Sequence, residues 1–226
     1  MNSISPIAKI RVFLVDDHPI VRRGLQLLIG LEKDIEVCGE SDNGHEALQK
    51  IMALQPDVAM VDLSLKTSTG LDLMKQLQSL CPQVKILVFS MRDEAIYAER
   101  SFSAGASGYI TKEEGAEKAI AGIRALMAGE KCMSPRLRDH LINRLAGPRV
   151  TLEDSVLQLS DRQLEVLELL GNGNANRDVD ARLKVSIKTV ESHRENIKQK
   201  LGLKTASELV SYAYNWVRDQ QNPEQK

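Results

Sequence analysis

Five polar side chains in the first half of the chain follow closely on short apolar runs. Asp16 and Asp17 close RVFLV, Asp62 closes VAMV, Ser90 closes ILVF, and Lys112 comes just after GYI. Carboxylates at the edge of a buried run repel one another and favour solvent, so adjacent Asp16 and Asp17 need a compensating charge. A divalent cation supplies it, and Mg2+ suits a site of a few carboxylates completed by water and phosphate oxygens. Beside such a cation Asp62 is a candidate nucleophile for an incoming phosphorus, giving an aspartyl phosphate, while Lys112 neutralises charge on the transferring oxygens. Ser90 would hydrogen-bond the new phosphoryl group, with Tyr109 repacking as its bistable partner. Singly, each has a plainer role: paired aspartates after a strand commonly cap the next helix, and a lone lysine is a solvated charge. Their joint placement is what points to chemistry.

The elements that must position these groups alternate. Strand-like runs are Arg11–Val15, Ile35–Cys38, Val58–Val61, Ile86–Phe89 and Gly108–Ile110. Helical patterns lie between and after them, at Ile20–Leu31, His45–Leu54, Leu71–Leu80, Glu94–Ala104 and Glu114–Ala128. Five such pairs imply right-handed βαβ units and a doubly wound α/β fold whose parallel sheet is covered on both faces. Ligands of such sheets bind beyond the carboxyl ends of the strands, near the switch in strand order. If the first and third strands are central neighbours, three carboxylates, a hydroxyl and an ammonium converge there.

Composition narrows the class. The 226 residues carry a net charge of −1, which excludes a uniformly basic nucleic-acid coat but leaves local patches open. No stretch approaches the roughly 18 consecutive apolar residues of a membrane span, and no basic segment followed by an apolar run opens the chain, so a cytoplasmic protein without a membrane partner is expected. Cys38, Cys81 and Cys132 are widely spaced and read as reduced thiols.

The stretches VDDHPIVRRGL, DNGHEAL, PDVAMVDLSLKTSTGLDL, ILVFS and AGASGYITKE together resemble the response-regulator receiver domain, the phosphoacceptor half of bacterial two-component systems. The resemblance implies a flavodoxin-like receiver over residues 8–129. It puts the acid pair at Asp16 and Asp17, the phosphoacceptor at Asp62, the switch residues at Ser90 and Tyr109 and the lysine at Lys112. It also implies Mg2+ held by Asp16, Asp17, Asp62 and the backbone carbonyl of Ser64, and a sensor histidine kinase as phosphodonor. Lys66 stands where the family often has proline, a departure that leaves the acids intact.

Residues 130–156 mix glycine, proline and charge around one amphipathic segment, Arg136–Leu145, and read as a linker with a short helix. Beyond it the pattern is all helical. Ser160, with Gln163 as capping-box partner, opens DRQLEVLELL, whose Leu164, Leu167, Leu169 and Leu170 form an apolar stripe. A short helix follows at Arg177–Leu183, Ser186 caps a long one that stops at Gly202, and a fourth begins after Thr205. The two middle helices make a helix-turn-helix candidate. On the long helix Val190, Ile197 and Leu201 share one side, while Lys188, Glu191, Ser192, Glu195 and Gln199 share the other. Arg182, Lys184, Lys188, Arg194, Lys198, Lys200 and Lys204 outnumber Glu191 and Glu195 here, so phosphate contacts would supply most of a salt-sensitive affinity.

The segment from Leu157 to about residue 217 is similar to the LuxR-type helix-turn-helix of NarL/FixJ-class regulators. That similarity implies an all-α four-helix DNA-binding domain over 157–219, followed by a tail at 220–226. It places Lys188, Thr189, Glu191, Ser192, His193 and Glu195 on or beside the DNA-facing helix, with Lys184 and Lys198 as flanking cations. Glu191 or Glu195 would accept from cytosine N4, Ser192 would approach a base edge, and Lys188 and His193 would suit phosphates. Asp180 departs from the small residue usual at its place and would be costly if buried unpaired.

Two classes of function follow. One is a phosphorylation-switched transcription regulator that binds double-stranded DNA as a homodimer, on half-sites about one helical turn apart, with Leu209, Tyr212, Ala213 and Trp216 available for a contact. In the other, the receiver is a phosphoacceptor interaction module whose helix-turn-helix does not bind DNA. A Mg2+-dependent aspartate-nucleophile phosphohydrolase fits less well, because it needs a second acid two residues after the nucleophile and Ser64 occupies that place. No enzyme is expected.

Overall fold

The computed structural model describes residues 9–65, 69–135, 137–139, 152–183 and 185–221. The chain divides into two compact units, Met1–Ile142 and Asn143–Lys226. Among the described residues no helix is long and apolar enough to cross a membrane.

The first unit alternates strands and helices as β1 (Ile10–Val15), α1 (Pro19–Gly30), β2 (Ile35–Ser41), α2 (Gly44–Leu54), β3 (Val58–Val61), α3 (Gly70–Leu80), β4 (Lys85–Ser90), α4 (Glu94–Ser103), β5 (Gly108–Thr111) and α5 (Gly115–Met127). The strands form one parallel sheet in the order β2-β1-β3-β4-β5. The switch in strand order therefore falls between β1 and β3, the strands that end in aspartate. Side chains alternate across a strand, and here both faces are buried, which is why the runs read as continuously apolar. Val12, Leu14, Val58, Met60, Leu87, Phe89 and Ile110 meet Leu25 and Ile29 of α1 and Ala119, Ile120, Ile123 and Leu126 of α5. Phe13, Ala59, Val61, Ile86 and Val88 are as deeply buried on the opposite face, which carries α2, α3 and α4.

Local chemistry sets the helix starts. Asn43, Thr69 and Asp93 cap α2, α3 and α4 by accepting from Glu46 N, Asp72 N and Ala95 N. Neither Asp16 nor Asp17 caps α1; His18 holds that position without a side-chain bond, and Pro19 opens the helix with a φ suited to it.

The second unit contains α6 (Leu152–Leu157), α7 (Asp161–Gly171), α8 (Asn176–Leu183), α9 (Ile187–Leu201) and α10 (Ala206–Gln221). Ser160 and Gln163 form the expected capping box, Ser186 caps α9, and Gly202 ends it in the left-handed conformation at φ +69°. Leu164, Leu167 and Leu170 are buried, joined by Val166. Gly171 lets α7 and α10 approach: a Cβ there would lie 2.3 Å from the Ala213 carbonyl oxygen.

The region read as linker differs most. Of the helix expected at Arg136–Leu145, residues 137–139 are helical, and the remainder lies outside the described residues, as do Lys66 and the end of the tail. Helix α6 was not anticipated. Its six residues are too few for a helical period to show, yet they bring Val156 and the following Leu159 into the core beneath α9.

Candidate functional site

The carboxyl edge of the sheet brings together every residue expected there. Asp16 extends β1 and donates its N–H to Ser41 O, and Asp62 extends β3 and donates its N–H to Val15 O. Asp16 is 3% exposed and Asp62 2%. Lys112, on the turn after β5, reaches back between them, its Nζ 2.6 Å from Asp62 Oδ2 and 2.7 Å from Asp16 Oδ2. Burial by itself would depress this ammonium, but the Asp62 and Asp16 carboxyls hold its pKa above the ordinary lysine value. Ser90 Oγ donates to Asp62 Oδ1 at 2.6 Å, and Ser64 N–H donates to the same oxygen at 3.2 Å. His18 Nδ1 lies 2.7 Å from Asp17 Oδ1, and Asp16, Asp17, His18 and Asp62 offer ligand atoms that all lie within 4.8 Å of one another. Three of these four donors are carboxyl oxygens, a hard set that fits Mg2+.

Tyr109 does not touch the acids. It is 1% exposed, and its hydroxyl donates to the Arg92 carbonyl at 2.8 Å. Burial raises its pKa well above that of an ordinary phenol, with the Asp93 charge adding to the effect. Tyr109 reaches the pocket through Arg92, whose N–H points at Ser90 Oγ (3.4 Å) and whose Nε donates to Ser64 Oγ (2.9 Å). Sequence reasoning missed Arg92. The available signal was a cation two residues beyond a strand-end hydroxyl. It also missed Gly70, where a Cβ would stand 2.4 Å from the Asp62 carbonyl oxygen; only glycine lets α3 start this close to the Asp62 backbone.

On α9 the expected division of faces holds. Val190 and Ile197 are fully buried and Leu201 is half-buried, whereas Lys188, Glu191, Ser192, Glu195 and Gln199 are exposed. Several side chains there have intramolecular partners. Thr189 Oγ1 lies 2.8 Å from Ser186 Oγ at the cap, and Ser192 Oγ donates to Lys188 O. Lys198 pairs with Glu195 at 2.9 Å. His193 is half-buried; burial, aided by the nearby Arg162, lowers its pKa. Lys200 is structural, donating to Gln158 O and Gln163 Oε1 and so holding the turn after α6 on α9. Lys184 lies outside the described residues. Asp180 is half-buried; the inward residue beside it is Val179.

A five-stranded parallel sheet with acids at its switch point and a helix-turn-helix in the second unit define a DNA-binding response regulator. The response regulator receiver domain profile matches residues 12–124, and that of the luxR family of bacterial regulatory proteins matches residues 157–213. The oxygen regulatory protein NreC of Staphylococcus haemolyticus is 35% identical over 208 residues, covering 90% of this chain and 96% of that protein, and NreC of Staphylococcus carnosus matches equally well. A LuxR-family two-component response regulator from Aurantimonas superposes with a TM-score of 0.58 at 31% identity, over 62% of this chain and 100% of that one. RcsB from Salmonella enterica serovar Typhimurium, bound to promoter P1flhDC with the phosphomimetic BeF3-, gives a TM-score of 0.69 at 25% identity over 92% and 99%. The chain belongs to the two-component response regulators of the NarL/FixJ class, with a receiver domain and a LuxR-type helix-turn-helix. Receiver domains bind Mg2+ at an acidic pocket of this kind.

Proposed function

We propose that this protein is a phosphorylation-dependent transcription regulator whose phosphoacceptor is Asp62 and whose phosphodonor is a sensor histidine kinase. The observation that carries the reading is the Asp62 carboxyl, held by Lys112 Nζ on one oxygen and by Ser90 Oγ on the other at the switch point of the sheet. A carboxylate oxygen of Asp62 attacks the phosphorus of a phosphohistidine. A P–O bond forms, the P–N bond breaks, and the imidazole, already protonated on its other ring nitrogen, leaves as the neutral base. Lys112 meets charge on the phosphoryl oxygens, Ser90 donates to one of them, and Tyr109 and Arg92 follow the movement of Ser90.

Asp16, Asp17 and Asp62, with the carbonyl of Ser64, are the proposed Mg2+ ligands. When bound, the cation neutralises and orients the transferring oxygens. The proposed domains are the receiver (8–129), linker (130–156), DNA-binding domain (157–219) and tail (220–226). Lys184, Lys188, Thr189, Glu191, Ser192, His193, Glu195 and Lys198 are the proposed DNA-facing set. By analogy with promoter-bound RcsB, the protein binds double-stranded DNA, as a homodimer, in the cytoplasm. A phosphohydrolase is disfavoured because Ser64, where such enzymes need an acid, holds a hydroxyl whose oxygen accepts from Arg92 Nε.

A salt-titrated promoter-binding assay tests the reading, with a small-molecule phosphodonor and Mg2+ on the wild type and on Asp62→Ala. The expected result is tighter binding with phosphodonor, absent in the variant. Binding indifferent to both would leave the receiver without this role, and no binding at all would favour the protein-interaction module.

A further inference from the structure

The segment after α5 closes the free edge of the receiver sheet. Cys132 forms a parallel bridge with Gly108, its carbonyl accepting from Tyr109 N at 2.8 Å, and its side chain fills the space left by Gly108, where a Cβ would stand 2.7 Å from Cys132 Cβ. Lys131 Nζ lies over the Phe102 ring at 5.6 Å. Two residues after Cys132, Ser134 Oγ donates to Glu94 Oε1 at 2.6 Å and accepts from Leu137 N at 3.0 Å, capping the helical residues 137–139. Leu137 is 2% exposed.

Both anchors of this strap lead to the phosphoacceptor. Tyr109, which holds Cys132 through its backbone, holds the Arg92 carbonyl through its hydroxyl, and Arg92 N–H points at Ser90 Oγ, which is bonded to Asp62. Glu94, which holds Ser134, lies two residues beyond Arg92 on the same loop-to-helix junction. Its carboxyl is 9% exposed as a residue and satisfied on one side alone, since Oε2 is buried with no hydrogen-bond partner among the described residues. A buried oxygen without a partner costs energy that hydration would return. The Glu94–Ser134 contact therefore sits where a small displacement of residues 91–94 favours the open state.

We infer that Glu94 and Ser134 form a latch by which the acid pocket governs the start of the linker. The inference rests on the reading of Asp62 as phosphoacceptor. When Ser90 turns to a phosphoryl group on Asp62, the Arg92 carbonyl and the α4 N-terminus shift, Glu94 parts from Ser134 and becomes hydrated, and the strap at 131–135 loosens from β5.

Hydrogen–deuterium exchange on the full-length protein, read in peptides covering 131–139 with α5 as internal reference, tests the latch. In wild type, phosphodonor and Mg2+ should speed exchange in 131–139 about tenfold; Ser134→Ala should reach that rate without phosphodonor and gain less than about twofold on adding it. Ser134→Thr, which keeps the hydroxyl, should restore protection. Glu94→Ala breaks the contact from the other side and decides the matter if Ser134→Ala also loosens α5. Unchanged protection of 131–139 in both breaking variants overturns the latch, as does loading of Asp62, followed by intact mass, without faster exchange there. If Asp62 takes up no phosphoryl group the phosphoacceptor reading falls, and the Ser134→Ala arm, which needs none, still decides the contact.

Discussion

At the carboxyl edge of the sheet, Asp16 and Asp62 lie almost fully buried and a single ammonium bonds to both; on α9, Lys188, Glu191 and Ser192 stand in solvent. The first site is over-determined. Two buried carboxyls this close require a cation, and that requirement fixes Lys112 and leaves its trace in the strand-end positions. The second is under-determined, because an exposed polar face has little energetic demand on its composition and its basic residues are free to serve the fold or a ligand. Substitution should therefore act through stability and chemistry together in the pocket, and through one or the other on α9.

The largest effect expected is that of Lys112→Ala. Removing the cation leaves Asp16 and Asp62 facing each other in a buried site, at a cost of about 3 kcal/mol in urea unfolding without divalent cations. Millimolar Mg2+ should return part of that loss by binding the folded state. A variant as stable as wild type in both buffers would show that the acids are not compensated by Lys112.

Next come two glycines that set close approaches, one in each unit. A Cβ at Gly70 meets the Asp62 carbonyl oxygen at 2.4 Å, and one at Gly171 meets the Ala213 carbonyl oxygen at 2.3 Å. Each alanine variant should lose about 2 kcal/mol through overpacking. Their functional effects should separate. Gly70→Ala should slow phosphoryl uptake, read by intact mass, and Gly171→Ala should weaken DNA binding measured without phosphodonor. An exchange of these phenotypes, or normal function in both, would undo the assignment of the two sites.

Two lysines on α9, indistinguishable in a charge count, sharpen the comparison further. Lys200 holds Gln158 O and Gln163 Oε1, so Lys200→Ala should cost about 1 kcal/mol and leave the salt dependence of DNA binding unchanged. Lys188 is exposed, so Lys188→Ala should keep stability within about 0.5 kcal/mol and lower the slope of log affinity against log salt by about one. Equal slopes for both variants would remove Lys188 from the interface.

The sheet was legible because strands buried on both faces must be continuously apolar, and the pocket because charged residues ending such runs are conspicuous. The helices of the second unit were legible through their caps, Ser160 with Gln163 and Ser186, a signature that spans only a few residues. Arg92 and Gly70 were not, since what matters about them is a distance across the chain: a guanidinium on Ser64, or a missing methyl beside Asp62. Helix α6 escaped for want of length. The role of Lys200 was not legible either, because charge summed along a segment does not say which ammonium is spent on a carbonyl. The parallel bridge from Cys132 to Gly108 could not be seen either, as one strand-like residue after a helix has no pattern.

The smallest effect concerns Asp180, the one residue of the second unit whose type argued against a working helix-turn-helix. Buried and unpaired, it would have cost several kcal/mol, and its replacement would have been strongly stabilising. It is instead half-buried, with Val179 taking the inward place. Its remaining cost is that of aspartate within a short helix, where alanine is the better former by roughly 0.5 kcal/mol. Asp180→Ala should thus raise the urea midpoint slightly, leave the unfolding slope unchanged, and leave DNA affinity equal or a little higher once a negative charge is removed near α9. A loss of both stability and affinity in paired melts and gel shifts would mean that the carboxyl holds a partner essential to α8, and Arg177 and Arg182 would be the first residues to test for it.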